Sequence, residues 1–474
     1  MDSATYLVPG TLILSFFGLL AYDSYRDRSI IPSLPTRFFG FDTGLLFYLR
    51  RIPLLEKSRL RYGSTFKLNV GLRNLYILSS ASMFKDFFFN HALDHREPHF
   101  RALVALGSSG NVELLSVPVH EQFLPTFGRN LSRRAIADGI STPLYAQLRQ
   151  RFQMLSQSGR TSHRLGDIVG KPLYSTLTSV IFGPSFPLDT YDDFVTLDDA
   201  MTTLMSPLAF TAVAAKSARN RLLKVMVGYI EENGPFADTT AEIVSSALRS
   251  VEILPLHEMA VCLLSLLWSV NSNLLKSIWW MMAYLANDAE AREGLHTEIR
   301  ERIEGKSDGD LLSMLGADKE LLFRQFPYAD AAVTETLRLC TMPGSLRVVT
   351  QDLQFPTENR EISFALRAGD LLMVNPRPYH FDNDVYPEAA KFSADRFVQK
   401  KGATPTAKII SWGSGAHMCK GRIFAHHVMK VWVIAFLQIF DFSSVEQVPI
   451  MDPGSLNVIA DFSRDVVVEL VARS

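Results

Sequence analysis

The chain has 474 residues, with 48 lysines and arginines against 49 aspartates and glutamates, and this balance argues against a nucleic-acid-binding protein. Hydrophobic residues make up 47% of the chain, enough for a large buried core. The chain contains only three cysteines, too few and too scattered for a cysteine-rich zinc site and typical of a reducing compartment. Two of them, Cys262 and Cys340, are predicted to be core residues.

The first predicted element is an uncharged stretch from Ser3 to Tyr22, long enough to cross a bilayer once as a helix. It could be a cleaved signal peptide or a retained anchor. No positively charged segment precedes it and no convincing cleavage site follows, so we expect a membrane anchor over residues 1–22. Three arginines follow and place the rest of the chain on the cytosolic side: Arg26, Arg28 and Arg37.

Residues 23–40 are predicted to form a linker, because Pro32 and Pro35 restrict the backbone there. No glycine- or serine-rich linker and no internal repeat divides residues 41–474, so we expect one catalytic domain. Alternating apolar and polar residues over 66–80 predict a small β-hairpin.

Most of the remaining chain has the apolar periodicity of helices. The predicted helices are 140–158, 189–233, 239–249, 256–287, 289–304 and 327–340. Strand-like segments lie near 345–354, 362–375 and 465–471. The pattern predicts a mainly α-helical fold with small peripheral β-sheets.

The segment Met259–Ala286 is apolar and long enough to span a membrane, which is one interpretation of it. Polar residues interrupt its middle, where exposure to lipid is costly: Ser269, Asn271, Ser272, Asn273 and Lys276. We therefore expect a helix that crosses the centre of a globular domain, with its polar positions facing a site.

A glycine-rich loop brings Cys419 to the start of a predicted helix over Ile423–Phe440. We expect Gly415 and Gly421 to let backbone amides approach the sulfur, where larger residues would crowd it. Amides and a helix N-terminus stabilise a thiolate, and a single anionic sulfur suits heme iron. The alternative is a structural cysteine in a glycine-rich turn.

The run WGSGAHMCKGRIFA over residues 412–425 resembles the heme-binding signature of the cytochrome P450 family, with Trp412 where phenylalanine is usual and His417 where arginine is usual. The run ETLR from Glu335 to Arg338 resembles the family's ExxR motif, and YPEAAKFSADRF over 386–397 resembles its second arginine segment. The resemblance implies the cytochrome P450 fold, preceded by one N-terminal transmembrane helix, and a buried structural ion triad of Glu335, Arg338 and Arg396.

The resemblance also implies heme b (iron-protoporphyrin IX) as the cofactor and Cys419 as the axial ligand of its iron. The heme-binding residues that it implies are Trp412, Gly415, His417, Gly421 and Arg347. A Trp-x-x-x-Arg pair expected near residues 120–135 has no copy here, and three arginines could replace its contact: Arg129, Arg133 or Arg134.

The long helix, with the run LWSVNSNLLKSIWW, is most similar to the branch of the family that contains sterol hydroxylases and prostacyclin synthase. Most members carry an acid and a threonine where this chain has Ser272 and Asn273. These two are the expected catalytic residues of the distal helix. They can order a water but supply no acid. Trp268 is a candidate for the roof of the pocket.

The resemblance implies a monooxygenase that oxidises a lipophilic small molecule, whether terpenoid, sterol-like, fatty-acyl or a specialised (secondary) metabolite. Electrons would come from NADPH through NADPH–cytochrome P450 reductase, on a single-pass protein of the endoplasmic reticulum membrane. Three basic residues are candidate reductase contacts: Lys420, Arg422 and Lys430. The uncharged segment 201–215 is expected to cover the entrance and dip into the membrane surface.

Two alternatives keep the heme. One is a reductase-independent isomerase or dehydratase that acts on a peroxide or another pre-oxidised substrate, which the missing acid beside Asn273 favours. The other is a heme sensor without catalytic activity, which would usually carry a second signalling domain.

Overall fold

The computed structural model describes residues 31–36, 40–159, 161–233, 242–303, 311, 314–315, 318–398, 407–452, 455 and 457–473. The predicted anchor over 1–22 and most of the predicted linker over 23–40 lie outside the described residues, so both stay predictions. The chain divides into two compact units, one of residues 1–94 and 343–379 and the other of residues 95–342 and 380–474.

The α-helices are α1 (Phe41–Leu49), α2 (Arg51–Tyr62), α3 (Phe84–Phe89), α4 (Arg96–Ala105), α5 (Val112–Leu115), α6 (Leu124–Asn130), α7 (Arg133–Gly139), α8 (Ser141–Ser156), α9 (Leu165–Phe182), α10 (Tyr191–Asp199), α11 (Met201–Leu204), α12 (Val213–Asn233), α13 (Glu242–Arg249), α14 (Leu256–Asn287), α15 (Ala289–Ile303), α16 (Leu321–Arg324), α17 (Pro327–Cys340), α18 (Arg377–His380) and α19 (Arg422–Leu437). Short 3₁₀-helices lie at Ala81–Met83, Ala209–Thr211, Ala394–Phe397 and Gly415–His417, and a π-helix at Ser116–Phe123.

The strands are β1 (Thr65–Val70), β2 (Arg73–Leu78), β3 (Leu93–Asp94), β4 (Ser162–Arg164), β5 (Ser345–Val349), β6 (Leu353–Pro356), β7 (Ser363–Leu366), β8 (Leu371–Val374), β9 (Phe440–Ser443) and β10 (Val467–Ala472).

The first unit is built on a five-stranded sheet with the order β1-β2-β8-β5-β3. Strands β1 and β2 form the predicted hairpin, which is confirmed, with Gly71 at φ 59° in its turn. Strand β2 pairs in parallel with β8, whereas β6 and β7 form a separate hairpin. Apolar side chains of β1 and β2, such as Phe66 and Ile77, are fully buried in the core of this unit.

The second unit is mainly helical and is organised around α14, which packs against α9, α12, α17 and α19. Helix α14 is long and apolar enough to cross a membrane, but 78% of its most apolar window is buried inside the protein. Its burial agrees with the predicted core helix. A helix that is apolar on nearly all sides is stable in water only when other elements surround it.

The predicted helix over 189–233 is wrong, because α10, α11, a 3₁₀-helix and α12 divide this segment. Pro207 lies at the break and supplies no amide hydrogen for a continuous helix. Helix α9 was not predicted, since Gly166, Gly170 and Pro172 obscure its apolar periodicity.

Candidate active site

The loop before α19 is held closed by its own backbone. The amide of Cys419 donates to the carbonyl of Trp412 at 2.9 Å, and the amide of Met418 donates to the carbonyl of Gly415 at 3.2 Å. Gly413 and Gly415 have φ of 65° and 69°, a left-handed conformation that favours glycine. These turns bring Cys419 to the N-terminal end of α19.

Cys419 is a free, exposed cysteine. The protein around its sulfur displaces water and raises the pKa of the thiol. Hydrogen bonds from the amides of Gly421 and Arg422, together with the charges of Arg422 and Lys420, oppose this rise by stabilising the thiolate. A thiol that coordinates a metal is deprotonated, so these donors suit an accessible thiolate ligand. The environment of Cys419 would therefore fit a thiolate ligand of a heme iron.

The predicted reason for Gly421 is wrong. Its φ is −85°, which any residue adopts, and a Cβ built on it would lie 4.0 Å from the sulfur of Cys419 and 3.8 Å from Leu131. Both are ordinary van der Waals distances, so a side chain at this position would not crowd the sulfur. The left-handed turns at Gly413 and Gly415 are the features that favour glycine in this loop.

A buried cluster of charges lies on α17. Nη2 of Arg338 and Oε1 of Glu335 are 2.7 Å apart, and both side chains are fully buried. Nε of Arg396 lies 3.3 Å from the same oxygen, and the amide of Ser393 also donates to it at 3.1 Å. Arg338 donates further to the carbonyl of Ala389 at 2.7 Å. The structural role of this triad stays a prediction, and its geometry suits that role.

The C-terminal end of α17 is bonded to the cysteine loop. Thr341 and Ser411 share a hydrogen bond between their hydroxyls at 2.8 Å, and Ser411 also donates to the carbonyl of Leu337 at 3.3 Å. The imidazole of His380 accepts a hydrogen bond from the amide of Ile410 at 2.9 Å. Helix α17 therefore supports the start of the loop that carries Cys419.

A second buried cluster joins α14 to α10, and sequence reasoning missed its central residue, Asp198. Three side chains at every fourth position of α14 donate to this carboxylate: Trp268 at 2.7 Å, Ser272 at 2.5 Å and Lys276 at 2.6 Å. Lys276 also lies 3.7 Å from Asp461. Burial alone would lower the pKa of Lys276, but Asp198 and Asp461 outweigh it and raise that pKa, so the ammonium stays charged.

These contacts correct the prediction for Ser272 and add a structural contact to that for Trp268, which stays a prediction. Ser272 is 4% exposed and its hydroxyl is bonded to Asp198, which argues against the predicted catalytic role of Ser272. The indole nitrogen of Trp268 is bonded to the same carboxylate, so Trp268 also helps to hold α14 against α10. The resemblance fixes the position of Ser272 along the helix but not the direction of its side chain.

Ser269 and Asn273 lie one turn apart and are the exposed residues of α14 between Glu258 and Ala286. The hydroxyl of Ser269 donates to the carbonyl of Ser265 at 2.6 Å. Within the described part of the chain, no protein group bonds to the amide of Asn273. This exposed polar pair in the middle of an otherwise buried helix is a candidate wall of a cleft. The exposure of Asn273 suits its predicted place in a site. Ser269 was not predicted as a site residue, but it lies four residues before Asn273, and this helical spacing could have identified it.

Two other predicted residues lie in different surroundings. The ring of His417 packs against that of His95, with centroids 3.8 Å apart. Arg347 lies on β5 in the first unit, 7% exposed and 5.5 Å from the centroid of the Phe87 ring. Burial lowers the pKa of Arg347 to about 10, although the negative charge of Asp94 partly opposes this shift. The guanidinium therefore stays charged at neutral pH. Heme contacts of His417 and Arg347 stay predictions.

The remaining arginine candidates each contact a nearby group. The contacts are Arg129 with Thr126 at 2.7 Å, Arg133 with Glu320 at 3.0 Å and Arg134 with Asp138 at 3.7 Å. None of these distances selects one of the three for a heme contact.

One basic candidate for partner binding is excluded. Lys430 is 2% exposed and its ammonium lies 2.7 Å from Asp330, so it is not available to a partner protein. Lys420 is exposed and Arg422 is half-buried beside Cys419, and both stay candidates.

Asp198→Asn is expected to lower the free energy of unfolding by about 3 kcal/mol, because it removes the nearest counter-ion of the buried Lys276, 2.6 Å away, and leaves Asp461 at 3.7 Å. Asp193→Asn is the matched control, since Asp193 pairs with Arg221, whose side chain is 61% exposed. The control should cost less than about 1 kcal/mol. Urea unfolding followed by circular dichroism compares the two, and equal losses would contradict the buried clamp.

The comparisons with known proteins agree with this geometry. A family model described as "Cytochrome P450" matches residues 32–461. The chain is 26% identical to 25-hydroxycholesterol 7-alpha-hydroxylase of Rattus norvegicus, over 71% of this chain and 84% of that protein. It is 22% identical to Cytochrome P450 7B1 of Mus musculus, over 94% and 90% of the two chains.

A third relative, prostacyclin synthase of Rattus norvegicus, is 29% identical over 43% of this chain and 44% of its own length. Among solved structures, the retinoic acid-bound cyanobacterial CYP120A1 superposes with a TM-score of 0.76 at 19% identity. The superposition covers 94% of this chain and 99% of that one, which shows the shared fold.

Proposed function

This chain belongs to the cytochrome P450 family, and we propose that this monooxygenase hydroxylates a sterol-like or other lipophilic small molecule with dioxygen and electrons from NADPH. The observation that carries the proposal is the accessible thiol of Cys419, held at the start of α19 by amide and cationic groups that stabilise a thiolate. Sterol hydroxylases among the relatives favour a sterol-like substrate over the terpenoid and fatty-acyl alternatives.

We assign Cys419 as the ligand of the heme iron, and Trp412, Gly415, His417, Gly421 and Arg347 as heme-binding residues. When bound, the heme supplies the centre at which dioxygen is activated. The protein's part is to fix the sulfur: the closed loop holds its position, and the contacts of α17 with Thr341 and Ser411 support the loop. The buried pairs of Glu335 stiffen α17 in turn.

The exposed pair on α14 orients what enters the cleft. Asn273 offers one acceptor and two donor hydrogens, and Ser269 keeps its oxygen lone pairs as acceptors. Together they can bind an oxygen of the substrate or an ordered water. Neither side chain is an acid at neutral pH, so a proton used in the reaction has to reach the cleft through water.

The second candidate function is that of an isomerase or dehydratase which rearranges a peroxide without a reductase. Two observations favour it: the exposed stripe of α14 carries an amide and a hydroxyl rather than a carboxylate, and prostacyclin synthase is among the relatives. Such a reaction needs no external electrons and no proton donor of the acid type.

The monooxygenase needs an electron donor and access to its substrate. We propose a membrane-bound NADPH-dependent reductase that contacts Lys420 and Arg422 beside the cysteine loop. We also propose that the protein is anchored in the endoplasmic reticulum membrane and faces the cytosol. Within 201–215, Phe210 is 70% exposed and the neighbouring Val213 is 66% exposed, which suits a segment that contacts lipid near an entrance.

Turnover with and without oxygen tests the proposal. The holoenzyme with reductase, NADPH and 25-hydroxycholesterol should form a product that is heavier by one oxygen atom, and removal of oxygen, reductase or NADPH should each abolish it. Mass spectrometry of the extracted lipid measures this. An isomerase would instead convert a lipid hydroperoxide anaerobically without reductase, and that result, with no sterol product, would replace the proposal by the second candidate.

A further inference from the structure

Three histidines of the second unit lie together where α4 begins. His95 is the residue before the helix, and the amide of His99 donates to the carbonyl of His95 at 3.1 Å, so the two are one helical turn apart. The third, His120, lies on the π-helix at Ser116–Phe123, and π-helical turns occur frequently at functional sites. Two histidines four positions apart on a helix, faced by a third from another segment, are a set of ligands that zinc sites use.

The pair of His99 and His120 already has the separation of two ligands of one ion. Nδ1 of His99 and Nε2 of His120 are 3.1 Å apart, and the centroids of the two rings are 5.0 Å apart. Two nitrogens that bind one zinc ion at about 2.0–2.1 Å are themselves about 2.9–3.4 Å apart. In the hydrogen bond between the rings one nitrogen carries the hydrogen, and a metal ion would take the place of that proton.

Both rings of this pair can serve as ligands. A metal binds the lone pair of a neutral imidazole. Burial, and to a smaller degree the neighbouring His120, lowers the pKa of His99 to about 4, so its ring is neutral at neutral pH. Both rings are half-buried, which leaves them within reach of an ion from solvent. The ring of Phe100 lies 4.8 Å from that of His120 and restricts its orientation.

His95 lies slightly further out than the pair. The centroid of its ring is 6.4 Å from that of His99 and 6.2 Å from that of His120. Imidazoles that share one zinc ion have centroids about 5 Å apart, so His95 has to approach by about 1 Å. Its ring is half-buried and packs against that of His417 at 3.8 Å, and a rotation about its side-chain bonds would supply the approach. His417 itself is assigned to the heme.

We propose that His95, His99 and His120 form a binding site for a divalent transition-metal ion of the zinc type, with water as the fourth ligand. Imidazole nitrogens suit zinc, copper and nickel, whereas calcium and magnesium prefer oxygen ligands. A bound ion joins α4 to the π-helix and so stabilises this part of the second unit. The site goes beyond the proposed function, because it needs neither substrate nor reductase.

Zinc titration of the untagged holoprotein tests the proposal. After removal of metals with a chelator, isothermal titration calorimetry should show one zinc ion per chain. Zinc K-edge X-ray absorption should show three imidazole nitrogens at about 2.0–2.1 Å from the metal. His99→Gln and His120→Gln should each weaken zinc binding at least about a hundredfold, since loss of a group that only supports a ligand already costs about 10–100-fold. His95→Gln should weaken it less, by about tenfold, because the preformed pair remains.

His91→Gln is the matched control, since His91 is an exposed histidine near the three proposed ligands in the sequence but is not one of them. It should bind zinc as tightly as the unchanged protein. The carbon monoxide spectrum of the heme and circular dichroism check that every variant is folded. The absorption measurement uses the unchanged protein, so it decides the matter even where a variant fails to fold.

Three results would overturn the proposal. The first is zinc binding by the unchanged protein that is no tighter than binding by His99→Gln. The second is fewer than three imidazoles on the bound zinc. The third is zinc that binds only after the heme has been removed, because the three histidines would then belong to the heme pocket.

Discussion

Cys419→Ser is expected to abolish the red-shifted Soret band that the reduced protein gives with carbon monoxide. The band requires a thiolate on the iron, and a serine hydroxyl is a poor ligand that stays protonated. Serine has nearly the size of cysteine, and the backbone contact to Trp412 does not involve the side chain, so the loop should keep its conformation. Difference spectra and the heme content of purified protein measure the effect.

Cys262→Ala is the matched control for this variant. Cys262 is 1% exposed, and burial beside Glu258 raises the pKa of its thiol to about 12, so it is not a thiolate ligand. The control should keep the full band. Retention of the band in Cys419→Ser would show that another residue binds the iron and would remove the basis of the proposed function.

The second large effect is expected from Glu335→Gln. The variant leaves Arg338, fully buried, without its carboxylate partner, and Arg396 loses the same partner. Loss of one member of a buried ion pair typically costs about 3–5 kcal/mol. We expect the free energy of unfolding to fall by this amount, and the heme content to fall with it because α17 supports the cysteine loop.

Glu320→Gln is the control for the buried triad, since Glu320 and Arg133 form a pair in which both side chains are more than 40% exposed. An exposed pair contributes less than about 1 kcal/mol. Urea unfolding of the three proteins gives the comparison. A loss in Glu335→Gln no larger than in the control would mean that the triad does not stabilise the fold.

Elements with strong periodicity could be predicted from the sequence. The predicted bounds of α14 and α17, 256–287 and 327–340, are those of the structure, because each helix has a long and regular apolar pattern. Cys262 and Cys340 are buried as predicted. The helices within 165–182 and 189–233 were harder to predict, because glycines and prolines weaken the apolar periodicity of these segments. Packing against the rest of the protein still stabilises helices there.

Some residues of the candidate site could likewise be predicted from the sequence, and others could not. Residues of a local motif, such as Cys419 or the pair Glu335 and Arg338, could be identified because the chemistry lies within a few positions. Asp198 could not, because its partners are some 70 positions away on another helix. Neighbouring residues of a helix point about 100° apart, which is why Asn273 is exposed while Ser272 is turned inward.

The clamp on Asp198 has a consequence for the range of molecules that the cleft accepts. A rotation of α14 by one residue, about 100°, would withdraw all three donors from the carboxylate together, so we expect this helix to resist rotation. Bulkier ligands must then be accommodated by other walls. We expect attempts to broaden or shift selectivity to gain more from Ser206 to Ala212, part of the segment predicted to cover the entrance, than from repacking the long helix.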